Sequence, residues 1–442
     1  MLEGREISEN HYSELREYIF GSDFNSKRKT AALFKITSKN KVIDYFDLHS
    51  DIVSNSVNVM SYDLTHTLGN FIHEIGISKN IEGTRKLANA GDFIISRLRS
   101  YLKEFAVVQE NTDKQVFSTE YLVYRPNTKY ISANTLLAFC LTKEVQTILN
   151  CSQYGTEHPR FYEFVFNELP LPDFLFEIND RINNLFLKAH AKRKYSQSLY
   201  KEAEELLIET LGLKDFQPSN EGNNIKTLKE SFLKTGRLDA EYYQIKYEEK
   251  LQIIKKYANG YGTLQQKCNL KDNNFTPKDE HEYKYIELAD IGKSGNVTGC
   301  TIEIGQHLPS RARRKVNVGD VIVSSIEGSL GSCALITQEY NNAICSTGFY
   351  VINSEEINSE TLLVLFKSKL MQELLKQNCS GTILTAINKT EFQNLLIPII
   401  DICVQTEIAD LIKQSFALRK ESENLLQEAK EMVEKEIENR II

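Results

Sequence analysis

The sequence lacks the short strings by which catalytic sites announce themselves. It has no Asn-Pro-Pro or Asp-Pro-Pro motif of an adenine methyltransferase, no G-x-G-x-x-G cofactor turn, no G-x-x-x-x-G-K-[ST] phosphate loop and no H-E-x-x-H zinc motif. Its eight cysteines include no C-x-x-C pair and are too sparse in 442 residues for a disulfide framework. Cys333, Cys345 and Cys403 fall inside apolar runs, where a thiol acts as a small hydrophobe, so buried, reduced and inert thiols are expected. The eight histidines show no ligand spacing, and no metal site is assigned. Long apolar runs are missing as well. Runs such as "LLIPII" from Leu395 are too short to cross a bilayer, and the start "MLEGREISEN" has no secretory core. A cytoplasmic protein without membrane contact is the expectation.

What is present is a globular composition, 41% apolar and 26% charged, in a chain long enough for two to four domains. The net charge of −7 argues against a phosphate-binding surface taken as a whole. The charge is segregated, however. Acidic residues gather in "KEAEELLIE" and "KEMVEKEIEN", basic ones in "RLRSYLK" and "RARRK", and the local field matters more than the sum.

The dominant feature is an internal repeat. Arg85 to Val123 lies on Arg313 to Val351 at an offset of 228 without a gap, matching "GDFIIS" to "GDVIVS" and "FSTEYLV" to "CSTGFYV". From Ile131 onward the offset is 226, and Gly155-Thr156 meets Gly381-Thr382. Each copy begins as short apolar-polar alternations around a helical stretch, which predicts a mixed α/β globule. Each ends in a long helix after Pro172 or Pro398.

The first helix, from about Glu177 to Leu211, carries Ile178, Ile182, Leu185 and Ala189, then Leu199, Ala203 and Leu206, each group at alternating steps of four and three. The second carries Val404, Ile408, Leu411, Ser415, Leu418, Leu425, Ala429 and Met432. That is a heptad seam. Lys192, Ser196, Ser415 and Ser422 soften its middle, which predicts that each helix packs closely against the other. Antiparallel packing would put the two globules at opposite ends of a rigid spacer, matching the dyad of a DNA duplex.

Within the repeat the apolar positions agree while the exposed tips differ. Arg97 and Arg99 correspond to Ser325 and Glu327, and Lys103 to a glycine of "GSLGS" in which Ser329 also lies. Arginine suits guanine O6 and N7, and glutamate accepts from cytosine N4, so the tips could read different bases. The alternative for each is an ordinary solvated turn residue. A second pair of loops adds Thr156, His158 and Arg160 in one copy and Thr382, Thr385, Asn388 and Lys389 in the other, with glycines that permit close backbone approach or simply cap a helix. Arg311, Arg313 and Arg314 precede the second strand, with Arg85 and Lys86 as a thinner equivalent in the first copy. Phosphate contact and a solvated face are both open for them.

The "GD" strands, the "GT" step followed by "NKTEFQNLLIPI", the tail "QTEIADLIKQSFALRKESENLLQEAKEMVE" and "GRLDAEYYQ" resemble the specificity subunit of type I restriction-modification systems. The resemblance implies an α/β (α+β) fold. Two similar target recognition domains would be related by pseudo-twofold symmetry and separated by two long antiparallel coiled-coil helices. The expected boundaries are a first recognition domain over 1–173, a spacer helix over 174–212, a linker over 213–235, a second recognition domain over 236–400 and a second helix over 401–442. The resemblance also implies double-stranded DNA as ligand, each domain reading half of a bipartite site. Two methyltransferase subunits and restriction or translocase subunits are the implied partners. S-adenosylmethionine would be held by the methyltransferase subunits, with no cofactor on this chain, which would not itself be an enzyme. Residues 1 to about 80 show no counterpart to "GRLDAEYYQ". The competing reading is a non-catalytic coiled-coil scaffold whose globules bind proteins.

Overall fold

The computed structural model describes residues 15, 17, 19–72, 81, 83–219, 224–381 and 385–440. They form two compact units, residues 1–193 with 420–442 and residues 194–419. Each unit therefore contains one globule and half of each long helix.

The first unit runs α1 (Lys27–Lys35), α2 (Val42–Tyr45), β1 (Phe46–His49), β2 (Ile52–Ser54), β3 (Met60–Tyr62), β4 (Thr84–Leu87), β5 (Phe93–Ser96), β6 (Phe105–Val107), β7 (Gln115–Phe117) and β8 (Tyr121–Pro126). Then come α3 (Ala133–Cys140), α4 (Lys143–Cys151), β9 (Gln153–Tyr154), β10 (Arg160–Phe161), α5 (Glu163–Asn167), α6 (Phe174–Glu177) and the long α7 (Asn179–Thr210). One antiparallel sheet has the order β1-β8-β5-β6 and a second the order β2-β4-β7-β3, with β3 parallel to β7. Every residue of α3 is buried, including Asn134 and Thr135, which bond Asn183 and Asn179 at 2.8 Å, and Ser132 caps it by accepting from the Thr135 amide.

The "GD" pair is structural. Gly91 sits at φ +89°, a conformation that favours glycine, and turns the chain into β5. Asp92 is buried and accepts from the Asn89 amide at 2.7 Å and from Arg125 Nε and Nη2 at 2.8 and 2.9 Å. In the second unit Asp320 does the same for the Asn317 amide, with Lys271 Nζ at 2.8 Å and Asn353 Nδ2 at 2.9 Å. A buried carboxylate is tolerable only when its lone pairs are taken, and each aspartate has them taken.

The second unit continues through α8 (Phe232–Thr235), α9 (Ile245–Lys256), β11 (Tyr261–Thr263), α10 (Leu264–Lys267), β12 (Asn269–Leu270), β13 (Glu282–Ile286), β14 (Thr301–Ile304), β15 (Ala312–Lys315), β16 (Val321–Ser324) and β17 (Cys333–Leu335). It ends with β18 (Ile344–Ser346), β19 (Phe349–Asn353), α11 (Ser359–Lys367), α12 (Lys369–Gln377), β20 (Cys379–Ser380), β21 (Ala386–Ile387), α13 (Lys389–Asn394), β22 (Leu396–Pro398) and α14 (Ile402–Asn439). Its first sheet, β12-β19-β16-β17, repeats the first sheet of the other unit.

The repeat reaches further back than the gapless match from Arg85, although not to a counterpart of "GRLDAEYYQ" among the described residues. Helix α2 and β1 match α10 and β12: the Val42 amide donates to the Leu169 carbonyl at 3.1 Å, and the Leu264 amide to the Leu395 carbonyl at 2.8 Å. The second sheets share three strands, β4-β7-β3 and β15-β18-β13. The fourth strand is added at opposite edges, β2 beside β4 in one unit and β14 beside β13 in the other. Short matching pieces separated by unlike insertions leave no continuous alignment to detect.

The helix seam is present with a different phase. In α7 the inward column is Ile182, Ala189, Ser196 and Ala203, alternating with Phe186, Arg193, Tyr200 and Leu207; in α14 it is Ile408, Ser415, Ser422 and Ala429, alternating with Ile412, Arg419, Leu426 and Val433. Leu206, Leu418, Leu425 and Met432, expected inside, are only half-buried because the step from each small residue is four and not three. Arginine and tyrosine at alternate seam positions hid that phase, since they point from the helix into their own globule. Arg419 donates to Asn296 Oδ1 and Ser294 Oγ, both at 2.7 Å, clasping the tight turn Gly292–Asn296. Arg193 lies over the Phe71 ring at 5.2 Å.

The serines make the helix contact close. In the second unit the Ser415 hydroxyl donates to the Ser196 carbonyl at 2.7 Å; in the first, the Ser422 hydroxyl donates to the Ala189 carbonyl at 2.8 Å. Lys192, expected in the seam, lies beside it and pairs with Glu421. Residues far along α7 meet residues early in α14, so the pairing is antiparallel. Cys403 departs from expectation: it is exposed on the first turn of α14, whereas Cys333 and Cys345 are buried.

Two predictions follow from this packing. Ser415→Leu overfills the seam and lowers unfolding free energy by about 1–3 kcal/mol, read as a shifted denaturant midpoint, whereas Ser415→Ala costs about 1 kcal/mol. His190 stands edge-on to Phe71 at 4.8 Å between ring centroids, and burial pushes its pKa down to about 4. The unfolded chain thus takes up a proton near pH 6.5 that the native state refuses, and stability falls as pH drops from there toward 4. The loss is on the order of 3 kcal/mol, and His190→Phe, which installs the residue at the matching position Phe416, should flatten it in pH-dependent melts.

Candidate nucleic-acid interface

Both units end their central strand in a tip braced by a two-stranded hairpin. In the first, β5 leads into Arg97–Lys103, and β9-β10 supplies Gly155–Pro159. The Arg97 carbonyl accepts from the Phe161 amide at 3.1 Å, the Arg99 amide donates to the Pro159 carbonyl at 2.8 Å, and the Arg97 amide donates to the Glu120 carbonyl at 3.2 Å. In the second, the Ser325 carbonyl accepts from the Ile387 amide at 2.9 Å, the Glu327 amide donates to the Thr385 carbonyl at 3.0 Å, and the Ser325 amide donates to the Gly348 carbonyl at 2.9 Å. Bond for bond, at the offsets of the repeat, this is one backbone frame used twice.

The side chains on the frame differ in charge. In the first unit Arg97, Arg99 and Lys103 share the tip with exposed Thr156 and His158, and Arg99 Nη2 lies 3.4 Å from His158 Nδ1. Lys86 on β4 is half-buried; burial, and then the nearby Arg97 guanidinium, hold its ammonium below the usual lysine range, against the opposing Glu163 and Glu120. Two cations crowded together gain from an added anion. Arg160 is occupied: it grips Glu120 through Nε at 2.9 Å and Nη2 at 2.5 Å. Arg85 pairs with Asp63 at 2.7 Å.

The second tip is balanced. The Ser325 hydroxyl donates to the Gly348 carbonyl at 3.0 Å and that of Ser329 lies 2.9 Å from Ser324 Oγ, so both serve the loop itself. Glu327 faces a cleft of about 530 Å³ lined by Arg237, Asp239, Lys376, Thr385 and Asn388. Asn388 caps α13 by accepting from the Glu391 amide, and Lys389 pairs with Asp272 at 2.6 Å. Thr382 lies outside the described residues. The basic run is not a set of free cations: Arg311 bonds Glu287 at 2.8 Å and Tyr285, Arg313 Nε donates to the Ser310 carbonyl at 3.0 Å, and Arg314 carries a buried Nη1. A β-bulge between Ala312 and Arg314 interrupts the strand's alternation there.

Sequence reasoning missed several residues here. Arg237 and Asp239 of "GRLD" form a two-bond pair at 2.8 and 2.7 Å, and Arg237 also donates to the Cys379 carbonyl at 2.9 Å, tying the segment to the second hairpin. Tyr101, Leu102 and Tyr154 stand exposed at the first tip, where composition alone assigns aromatics to cores. Among the described residues no group of three or more His, Cys, Asp or Glu side chains could hold a metal ion, and no helix is long and apolar enough to cross a membrane.

One backbone frame thus presents two different sets of polar and charged side chains, and comparison with known proteins finds similarity over part of the chain. Residues 262–431 match the family model described as type I restriction modification DNA specificity domain. Through this segment the chain is similar to the DNA specificity domain of type I restriction-modification systems. Among curated proteins none matches significantly. Solved structures that resemble the chain include one bearing on complex assembly and conformational transition of the type I R-M system, at 18% identity and TM-score 0.28 over 88% of this chain and 96% of that one. Others are the HsdS subunit from Thermoanaerobacter tengcongensis, at 16% and 0.29 over 90% and 95%, and the type I S subunit from M. genitalium, at 11% and 0.43 over 90% and 95%.

The Arg160 hydrogen bonds hold the Glu120 carboxyl below its ordinary range. A depressed carboxylate stabilises above its unfolded pKa and loses that contribution as pH falls through the lower folded value. Hydrogen exchange across 153–161 should therefore rise only below the usual glutamate range, and in Glu120→Gln that acid-induced rise should disappear.

Proposed function

We propose that each unit reads one half of a bipartite, asymmetric DNA site, and that the paired helices set the unread spacer and dock two methyltransferase subunits. The observation that carries this is the duplicated frame: Arg97 and Arg99 occupy the places held by Ser325 and Glu327 in the other copy. A donor-rich tip suits guanine, and an acceptor suits the cytosine amino group. The chain takes no chemical step of its own. S-adenosylmethionine and the methyl transfer belong to the docked subunits, and restriction or translocase subunits join the same cytoplasmic assembly.

Methylation mapping of the source cell with and without the gene should show loss of one bipartite motif. Duplexes carrying that motif with a lengthened or shortened spacer should then bind the assembled methyltransferase at least tenfold more weakly in a mobility-shift assay. Arg97→Ala should relax one half-site and Glu327→Ala the other, each by about 1–3 kcal/mol of base discrimination. Indifference to spacer length, or binding of proteins without sequence-dependent DNA affinity, contradicts the proposal and favours a scaffold.

A further inference from the structure

The first tip holds two large apolar side chains away from the protein by construction. Tyr101 is 55% and Leu102 39% exposed. They occupy a 3-10 turn, Ser100–Leu102, bracketed by Arg99 at φ 49° and Lys103 at φ 54°. Both brackets are left-handed, a conformation that L side chains adopt against a steric penalty and that concentrates at functional sites. The turn is nonetheless fixed. Ser100 is buried and its hydroxyl donates to Asn150 Oδ1 at 2.6 Å. The Lys103 amide donates to the Ser100 carbonyl at 3.0 Å, and Asn70 Nδ2 donates to the Lys103 carbonyl at 3.2 Å and the Phe105 carbonyl at 3.0 Å.

The second copy shows that the frame does not demand this. At the matching positions stand Ser329, whose hydroxyl bonds inside the loop, and Leu330, which is only 5% exposed. An apolar pair on a rigid loop, with a cation on either side, complements one surface in particular: stacked bases between phosphates. Of the carboxylates along these loops, Glu120 is paired with Arg160, Glu104 is buried, and Glu157 is exposed on the hairpin.

We propose that Tyr101 and Leu102 form a wedge that enters the base stack within the half-site read by the first unit, while Arg99 and Lys103 hold the flanking phosphates. Aromatic stacking is tolerant of sequence, and apolar side chains driven into a base step unstack and kink the duplex. Among the described residues at the matching positions of the second tip there is no such pair, so the proposed deformation falls in the half of the site read by the first unit. Readout there includes the ease with which a step opens, as well as direct base contacts.

The inference rests on the sequence-reading role proposed above, and its test separates the two. The assembled methyltransferase is titrated onto duplexes carrying 2-aminopurine at one position at a time across both half-sites of its mapped motif. The wild-type complex should raise fluorescence at one step of the first half-site and at none of the second. Tyr101→Ala should abolish the rise and weaken binding roughly tenfold, and Tyr101→Phe should restore both. Specific binding with no fluorescence change at any position overturns the wedge and leaves the reading intact. Failure of Tyr101→Ala to co-elute with the methyltransferase subunits overturns it too, by making the tip a protein contact. A complex that ignores the bipartite duplex altogether overturns the reading itself.

Discussion

Two columns of small side chains spaced seven residues apart determine how closely the long helices approach, and the rest of each unit is arranged around that contact. Ala189 and Ser422 meet in one unit, Ser196 and Ser415 in the other. The Ser415 and Ser422 hydroxyls bond to backbone carbonyls of the facing helix and the Ser196 hydroxyl to that of Ser415, so the polar atoms are satisfied without widening the gap. Neither copy of the repeat completes its own core. The first globule is closed by Leu426, Ala429, Val433 and Ile437 of α14, and the second by Tyr200, Ala203 and Leu207 of α7.

From those helices Arg193 and Arg419, matching positions of the repeat, each reach into the globule of their own unit. Arg419 clasps a turn whose glycine, Gly295, leaves no room for a side chain, because a Cβ there would come within 2.5 Å of Leu363. Arg193 lies against Phe71. Beyond this brace the central sheets carry the aspartate-locked turns and then the tips. At those tips the backbone frame is shared and the side chains it carries are not.

Much of this was legible in the sequence because duplication writes the same constraint twice. The gapless match from Arg85 to Val123 reports a sheet whose register tolerates no slip, and the "GD" pairs mark a turn that needs glycine and a buried carboxylate that needs partners. The seam was legible as a period and not as a phase: Arg193, Arg419 and Tyr200 look like surface residues until their partners in the globule are known. The α2–β1 match was invisible because two short elements are followed by sheets that gained their fourth strands on opposite edges. At the site, the tip positions could be read from the repeat, but the pairing of Arg160 with Glu120, of Lys389 with Asp272 and of Arg311 with Glu287 depends on residues remote in sequence. No local pattern separates a paired arginine from one left to meet a phosphate.

The helix contact also bears on how such a chain can change over generations. Because Ala189 faces Ser422 and Ser196 faces Ser415, a bulkier residue in one column is tolerated only if its opposite number shrinks, and that neighbour is encoded in the other copy of the duplication. The two halves of the gene are therefore obliged to change together where the helices touch, while their tips carry no such reciprocal constraint.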